Sequence, residues 1–165
     1  MSENQNRHGL THVDQHGAAK MVDVGNKDIS RRTAKAVAKL SLQPETTERI
    51  VSNNMSKGDV LQVARIAGIM AAKRTSELIP LCHQIALSSI QIEFVFAENS
   101  YLEIYAIACA DQKTGVEMEA LTAASIAALT IYDMCKSVDR EMTIEQIQLV
   151  EKTGGKSDYY RDQNQ

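Results

Sequence analysis

The chain has 165 residues, 44% of them apolar, with 18 Lys and Arg set against 21 Asp and Glu for a net charge of −3. That length fits one domain with an aliphatic, alanine-rich core, since there is no Trp and only two Phe and five Tyr. The mild acidity argues against bulk nucleic-acid binding, and the lack of an apolar run near the ~18 residues of a membrane span, or of a signal-peptide core, sets the expected location as cytoplasmic, with no membrane partner.

In chain order, residues 1–19 read as a flexible arm, 20–157 as one domain and 158–165 as a polar tail. The arm holds His8, His12 and His16 at helical spacing, but Gly9, Gly17, Thr11 and Val13 discourage a helix, so solvated histidines and no metal site are expected. Lys20–Val24 suggests a short strand. Ser30–Leu42 suggests a helix with Ala34, Val37 and Ala38 at helical spacing, and with Arg31 and Arg32 opposing the macrodipole in its first turn. Pro44 opens a second short helix over Glu45–Ser52. Gly58–Glu77 predicts the first long helix, capped by Asp59 and stopped by Pro80. Its apolar surface (Val60, Val63, Ala64, Ala67 and Ala71, widened by Ile66, Ile69 and Met70) suggests contact with a sheet and with a second partner.

Ile90–Ala97 alternates apolar and polar residues, Glu98-Asn99-Ser100 is turn material, and Tyr101–Ala108 returns as the second strand of a hairpin. Val116–Val138 predicts the second long helix. Met142–Val150 predicts a last strand, with a bulge because Ile144 and Ile147 differ in parity. The core order β-α-β-β-α-β specifies an α+β, ferredoxin-like split βαβ fold: a four-stranded antiparallel sheet with helices packed on one face, plus short N-terminal helices.

Several segments are candidates for chemistry. Cys82, Cys109 and Cys135 are odd in number and form no C-x-x-C, which fits a reducing compartment and neither a zinc site nor a redox dithiol. Lys57 before Gly58 is either solvated or part of an anion site at a helix N-terminus. His83, after Pro80-Leu81-Cys82, is either a hydrogen-bonded structural histidine or a neutral imidazole placed by a rigid turn. Glu117 and Glu119 open the second long helix, where the macrodipole favours carboxylates, and at i, i+2 at most one faces any given pocket. Asp133 and Lys136, at i, i+3 among Ile131, Tyr132, Met134 and Cys135, suggest a semi-buried proton-exchanging pair. Lys152-Thr153-Gly154-Gly155-Lys156-Ser157 looks like a phosphate loop. It fails as a Walker A motif because Val150 stands where a Gly is needed, so it reads either as a lysine clamp on a polyphosphate or as a frayed tail.

Together these segments resemble the MoaC family of cyclic pyranopterin monophosphate synthases. The resemblance is carried by Met21-Val22-Asp23-Val24, Lys57-Gly58-Asp59-Val60, Ala64 through Ile69, Ala71 through Thr75, Leu78-Ile79-Pro80-Leu81-Cys82-His83, Lys113 through Lys136 and Lys152 through Ser157. It runs from about Leu10 to Ser157, and departs from the family where Gln84 follows His83 in place of the usual Pro. The resemblance implies a lyase of molybdenum cofactor biosynthesis that converts 3′,8-cyclo-7,8-dihydro-GTP to cyclic pyranopterin monophosphate with release of diphosphate. It implies homohexamers, as trimers of dimers, with active sites at subunit interfaces, and a radical SAM enzyme as the supplier of substrate. It also implies site roles. Asp133 is the general base, with Lys136 and Lys57 as general acids or electrostatic partners. Arg32, Lys152 and Lys156 meet the triphosphate, Met118 and Glu119 hold the guanine-derived edge, and Leu81, Cys82 and His83 wall the other side. No cofactor is implied beyond Mg²⁺ accompanying the triphosphate. Two rival readings on the same fold are an RNA-binding module, for which Phe94 and Phe96 lack the basic context, and a sensor domain that binds a nucleotide without turning it over.

Overall fold

Ala34, Ala36, Ala38 and Leu40 are fully buried at every second position, the period of a strand. In the computed structural model, which describes residues 17–97 and 100–162, they form the inner face of strand β1, Ser30–Ser41. The helix expected over Ser30–Leu42 is therefore a strand. Ala34, Val37 and Ala38 also fit a helical stripe, and alanine favours a helix, but β1 is the central strand between two antiparallel neighbours, whose ladders outweigh local propensity. The expected pair of short N-terminal helices reduces to one, α1 (Pro44–Val51), which follows β1. Lys20–Val24 is not a strand either; Ala19 alone makes a bridge in that region.

The remaining elements are α2 (Val60–Lys73), α3 (Thr75–Leu78), β2 (Ser89–Ala97), β3 (Tyr101–Gln112), α4 (Glu117–Cys135), β4 (Thr143–Thr153) and β5 (Tyr159–Tyr160). The sheet order is β2-β3-β1-β4-β5, with every pair antiparallel. Its first four strands have the ferredoxin-like arrangement expected, and β5 adds a short edge strand against Glu151 and Lys152. The bulge expected between Ile144 and Ile147 is present: Leu40 pairs with Ile144 and Lys39 with Gln146, leaving Glu145 unmatched.

Helices α2 and α4 cover the inner face of the sheet. The side chain of Asp59 caps α2 by accepting from the Gln62 amide at 3.0 Å, and α3 ends at Leu78, with Ile79 as its C-terminal cap before Pro80. The Arg65 guanidinium donates to the Ile92 carbonyl and lies 5.0 Å from the Phe94 ring centre, which ties α2 to β2. Buried Asp139 accepts from the Gln43 amide at 2.8 Å and the Glu141 amide at 3.1 Å, fixing the chain after α4 against the start of α1. On the outer face Lys35 and Lys39 lie over the rings of Tyr105 and Tyr101. No helix among the described residues is long and apolar enough to cross a membrane.

The two long helices approach closely at Gly68. A Cβ there would fall 2.4 Å from Ile92 Cδ1 and 2.8 Å from the Ala123 carbonyl oxygen. Gly68→Ala gains helix propensity, about 1 kcal/mol, but forces the helices apart. The expected outcome is a net loss of roughly 1–2 kcal/mol in denaturant unfolding; an equally stable variant would show that the interface yields freely.

Candidate active site

The end of β1, the turn after β3, the first turn of α4 and the end of β4 meet at one edge of the sheet. Arg32 is on the inner-face parity of β1 but lies beyond the core, where it donates to the Gln112 carbonyl at 3.2 Å and the Lys113 carbonyl at 3.5 Å. Lys152, on β4, ion-pairs with Glu117 at 3.2 Å. Gly154 turns the chain with φ +82°, and a Cβ there would lie 1.8 Å from the Arg31 carbonyl oxygen, so only glycine fits. Its amide donates to Asp158 at 3.0 Å, and its carbonyl accepts from Ser30 at 2.7 Å. The Lys152–Ser157 segment is thus a tied turn rather than a frayed tail. It closes a cavity of about 200 Å³ lined by Lys27, Arg32, Lys113, Lys152 and Lys156, with Glu117 as the one carboxylate among the described residues.

A second cavity, of about 320 Å³, adjoins the first through Lys27, Thr114, Gly115 and Glu117. Its walls are Val22, Val24, Leu81, Cys82, His83, Ile85, Met118 and Glu119. Glu119 is only 3% exposed, and burial pushes its carboxyl up to about 7, with the Glu117 charge adding to the rise against a backbone hydrogen bond. Burial also raises the Cys82 thiol, reinforced by Glu119, which argues against a thiolate nucleophile. His83 Nε2 is 2.9 Å from the Val22 carbonyl oxygen.

A third group sits at the other end of α4. Lys57 Nζ donates to the Asp133 carbonyl at 2.8 Å and to Oδ2 at 3.2 Å, and Lys136 Nζ lies 2.7 Å from Oδ1. Hydrogen bonds from Lys136 and Lys57 hold the Asp133 carboxyl below the usual range, and Asp133 in turn raises Lys136. The side chains of Asp133, Lys136 and Lys57 are 60%, 56% and 43% exposed, so the semi-buried setting expected for the pair does not hold within one chain. The apolar residues beside it in sequence face elsewhere: Ile131, Met134 and Cys135 pack into the core.

The sequence model of the MoaC family matches residues 21–155. The chain belongs to the MoaC family. Proteins named cyclic pyranopterin monophosphate synthase are close relatives of this MoaC chain. One from Clostridium acetobutylicum is 56% identical, over 90% of this chain and 92% of its own. Those from Desulfitobacterium hafniense and Pelotomaculum thermopropionicum are 54% and 55% identical, over 92% and 90% of this chain and 93% and 88% of theirs.

The fold gathers most of the residues expected at the site into two adjoining cavities. Arg32, Lys152 and Lys156 share one cavity, and Leu81, Cys82, His83, Met118 and Glu119 share the cavity beside it. Asp133, Lys57 and Lys136 do not join them. At about 1.5 Å of rise per residue, α4 places Asp133 roughly 20 Å from Glu119. Lys27 and Lys113 were missed as cavity residues. Lys27 sits in irregular chain with no periodicity, and Lys113 reaches the cavity through the β1–β3 pairing that pairs Ser30 with Gln112, hidden when Ser30–Leu42 is read as a helix. The arm with His8, His12 and His16 lies outside the described residues; among those described, no group of three or more His, Cys, Asp and Glu is placed to hold a metal.

Glu119 makes the fold pH-sensitive. Its carboxyl shifts from 4.5 to about 7 on folding, so between those values the native chain binds more protons than the unfolded one. The contribution is complete below the lower value and is lost as pH rises through 7. Glu119→Gln should melt higher than wild type at pH 8, by on the order of 5 °C, with the difference gone at pH 4. Parallel melting curves at every pH would show that Glu119 titrates normally.

Proposed function

We propose that the chain is a cyclic pyranopterin monophosphate synthase, a lyase that converts 3′,8-cyclo-7,8-dihydro-GTP to cyclic pyranopterin monophosphate and diphosphate in molybdenum cofactor biosynthesis. The observation that carries this reading is the pairing of a five-cation cavity with a half-apolar one that holds a buried carboxyl. In a chain of net charge −3, cations gathered at one end fit a polyphosphate. Arg32, Lys152 and Lys156, with Lys27 and Lys113, meet the triphosphate and stabilise the departing diphosphate. Mg²⁺ arrives with the triphosphate as part of the substrate, and no resident cofactor is needed. Glu119 and Met118 hold the guanine-derived edge, while Leu81, Cys82 and His83 form the facing wall.

Opening one ring and closing another requires proton transfers in both directions. Asp133 serves as general base, with Lys136 and Lys57 as acids or electrostatic partners. Since these three lie roughly 20 Å from Glu119 along α4, they act on substrate held by a second copy of the chain. An apolar surface supports that contact: Leu129, one turn before Asp133, is exposed on α4, and Val63, Ile66 and Met70 are exposed on α2, which packs along it. Covering the triad with a partner desolvates Asp133 and raises its pKa toward that of a useful base. The assembly is a homohexamer, a trimer of dimers. It works in the cytoplasm, on a nucleotide-derived substrate supplied by a radical SAM enzyme.

Asp133→Asn keeps the shape of the side chain and removes the base. Its kcat should fall by ~10²–10⁴ with the melting temperature unchanged. Co-expressing that chain with Lys152→Ala chains should restore about a quarter of wild-type turnover, because half the dimers then carry one intact site. Near-wild-type kcat in a stable Asp133→Asn enzyme would end the catalytic assignment. An absence of recovery in the mixture would place the whole site within one chain. Binding of the cyclic substrate by wild type without diphosphate release would favour the sensor reading.

A further inference from the structure

Residues 21–27 lie outside the sheet, in front of both cavities. The segment has its own shape: the Gly25 amide donates to Asp23 Oδ1 at 2.7 Å, and the Lys27 amide to the Val24 carbonyl at 3.1 Å. Neither bond attaches it to the domain. Two side chains from the domain reach across to it. His83, in the turn after α3, lies 2.9 Å from the Val22 carbonyl oxygen through Nε2. Lys113, just past β3, donates to the Gly25 carbonyl at 2.5 Å. Between and beyond these contacts the segment supplies Val22 and Val24 to the wall of the Glu119 cavity, and Lys27 to both cavities.

A carbonyl oxygen only accepts, so Nε2 of His83 carries the proton in this contact. While the contact holds, that nitrogen cannot take a proton from a ligand. The other end of the histidine is fixed by its turn, in which the Cys82 amide donates to the Ile79 carbonyl at 3.1 Å directly after Pro80. The body of Lys113 is fixed in the same way, because Arg32 holds its carbonyl. Both side chains are thus anchored in the domain and directed at the backbone of a segment whose other hydrogen bonds, among the described residues, are internal.

We propose that His83 and Lys113 are positioning residues that latch the Met21–Lys27 segment across the two cavities, and that the latch sets the affinity for polyphosphate by holding Lys27 in place. The role of the segment as a wall of the substrate site rests on the function proposed above; the latch itself does not. Free, the segment would have to be ordered by each incoming ligand, at a cost in affinity.

The test combines hydrogen exchange on the intact protein with titration of inorganic tripolyphosphate. His83→Ala should speed exchange of amides 23–27 by about tenfold while β1 and β3 keep their protection. It should also weaken tripolyphosphate about fivefold, although His83 does not line the cation cavity. Lys27→Met should lose a similar amount. The double variant should be little worse than either single one, since an unlatched Lys27 has already lost most of its effect. His83→Gln, which can still donate to the Val22 carbonyl, should recover most of the loss. Lys113→Met provides a second route to faster exchange in the same segment if His83→Ala folds poorly. With the cyclic substrate, His83→Ala should raise KM by more than it lowers kcat, since it frees the segment and removes part of the cavity wall.

Unchanged exchange over 23–27 in both variants would overturn the proposal. So would a ~10²-fold loss of kcat in His83→Ala with tripolyphosphate affinity intact, the pattern of a proton-transfer group. A wild-type protein that fails to turn over the cyclic substrate contradicts the proposed function alone, because exchange and tripolyphosphate binding still decide the latch.

Discussion

Helix α4 is the rod on which the rest of the molecule is arranged. Ala120, Ala123, Ala124, Ala127 and Ala128 are fully buried, and facing them Gly68 has no side chain, so α4 lies close to both the sheet and α2. Small residues permit the close approach, and the dispersion contacts that follow make the rod stiff. Its length then becomes a functional dimension. Glu117 and Glu119 stand at its start and Asp133 near its end, and no side-chain movement closes a gap of roughly 20 Å. A chain built this way either has two unrelated sites or completes one site with a second copy. In the proposed assembly the second copy docks beside Leu129, which is exposed one turn before Asp133.

The same helix carries two carboxyls driven in opposite directions. Burial raises Glu119, while Lys136 and Lys57 lower Asp133 in an exposed setting. Environment alone separates them, so that Glu119 keeps part of its protons near neutrality while Asp133 is ionised. At the cation cavity the balance is different. Glu117 sits against Lys152, so a carboxylate already occupies part of the positive field, and an incoming phosphate competes with it.

The turn at Gly154 shows how little slack the site has. With the Arg31 carbonyl oxygen where a Cβ would stand, the end of β4 has to pass directly over the start of β1. That crossing brings Lys152 and Lys156 over Arg32, from opposite parts of the sequence. The segment from Met21 to Lys27 completes the enclosure from the other side, held by His83 and Lys113.

The sequence by itself determined the two long helices, the β2–β3 hairpin and the β4 bulge, because period and punctuation are local: Asp59 before α2, Pro80 after α3, strict alternation from Ile90 to Phe96. These carried the ferredoxin-like class, although with Lys20–Val24 standing where β1 belongs. It also singled out Arg32, Lys152 and Lys156, which the structure brings to one cavity, since charged residues interrupting apolar stretches stand out without a structure. It did not determine β1. Alanine satisfies helical and strand periods alike, and only pairing with β3 and β4 decided between them. Nor did it determine which site residues meet. Lys27 and Lys113 reach the cation cavity through contacts between distant segments, and Asp133 is held apart from Glu119 by the straight run of α4. Local order follows from neighbours along the chain, whereas convergence depends on which surfaces are buried together, and that is fixed only when the sheet and helices pack.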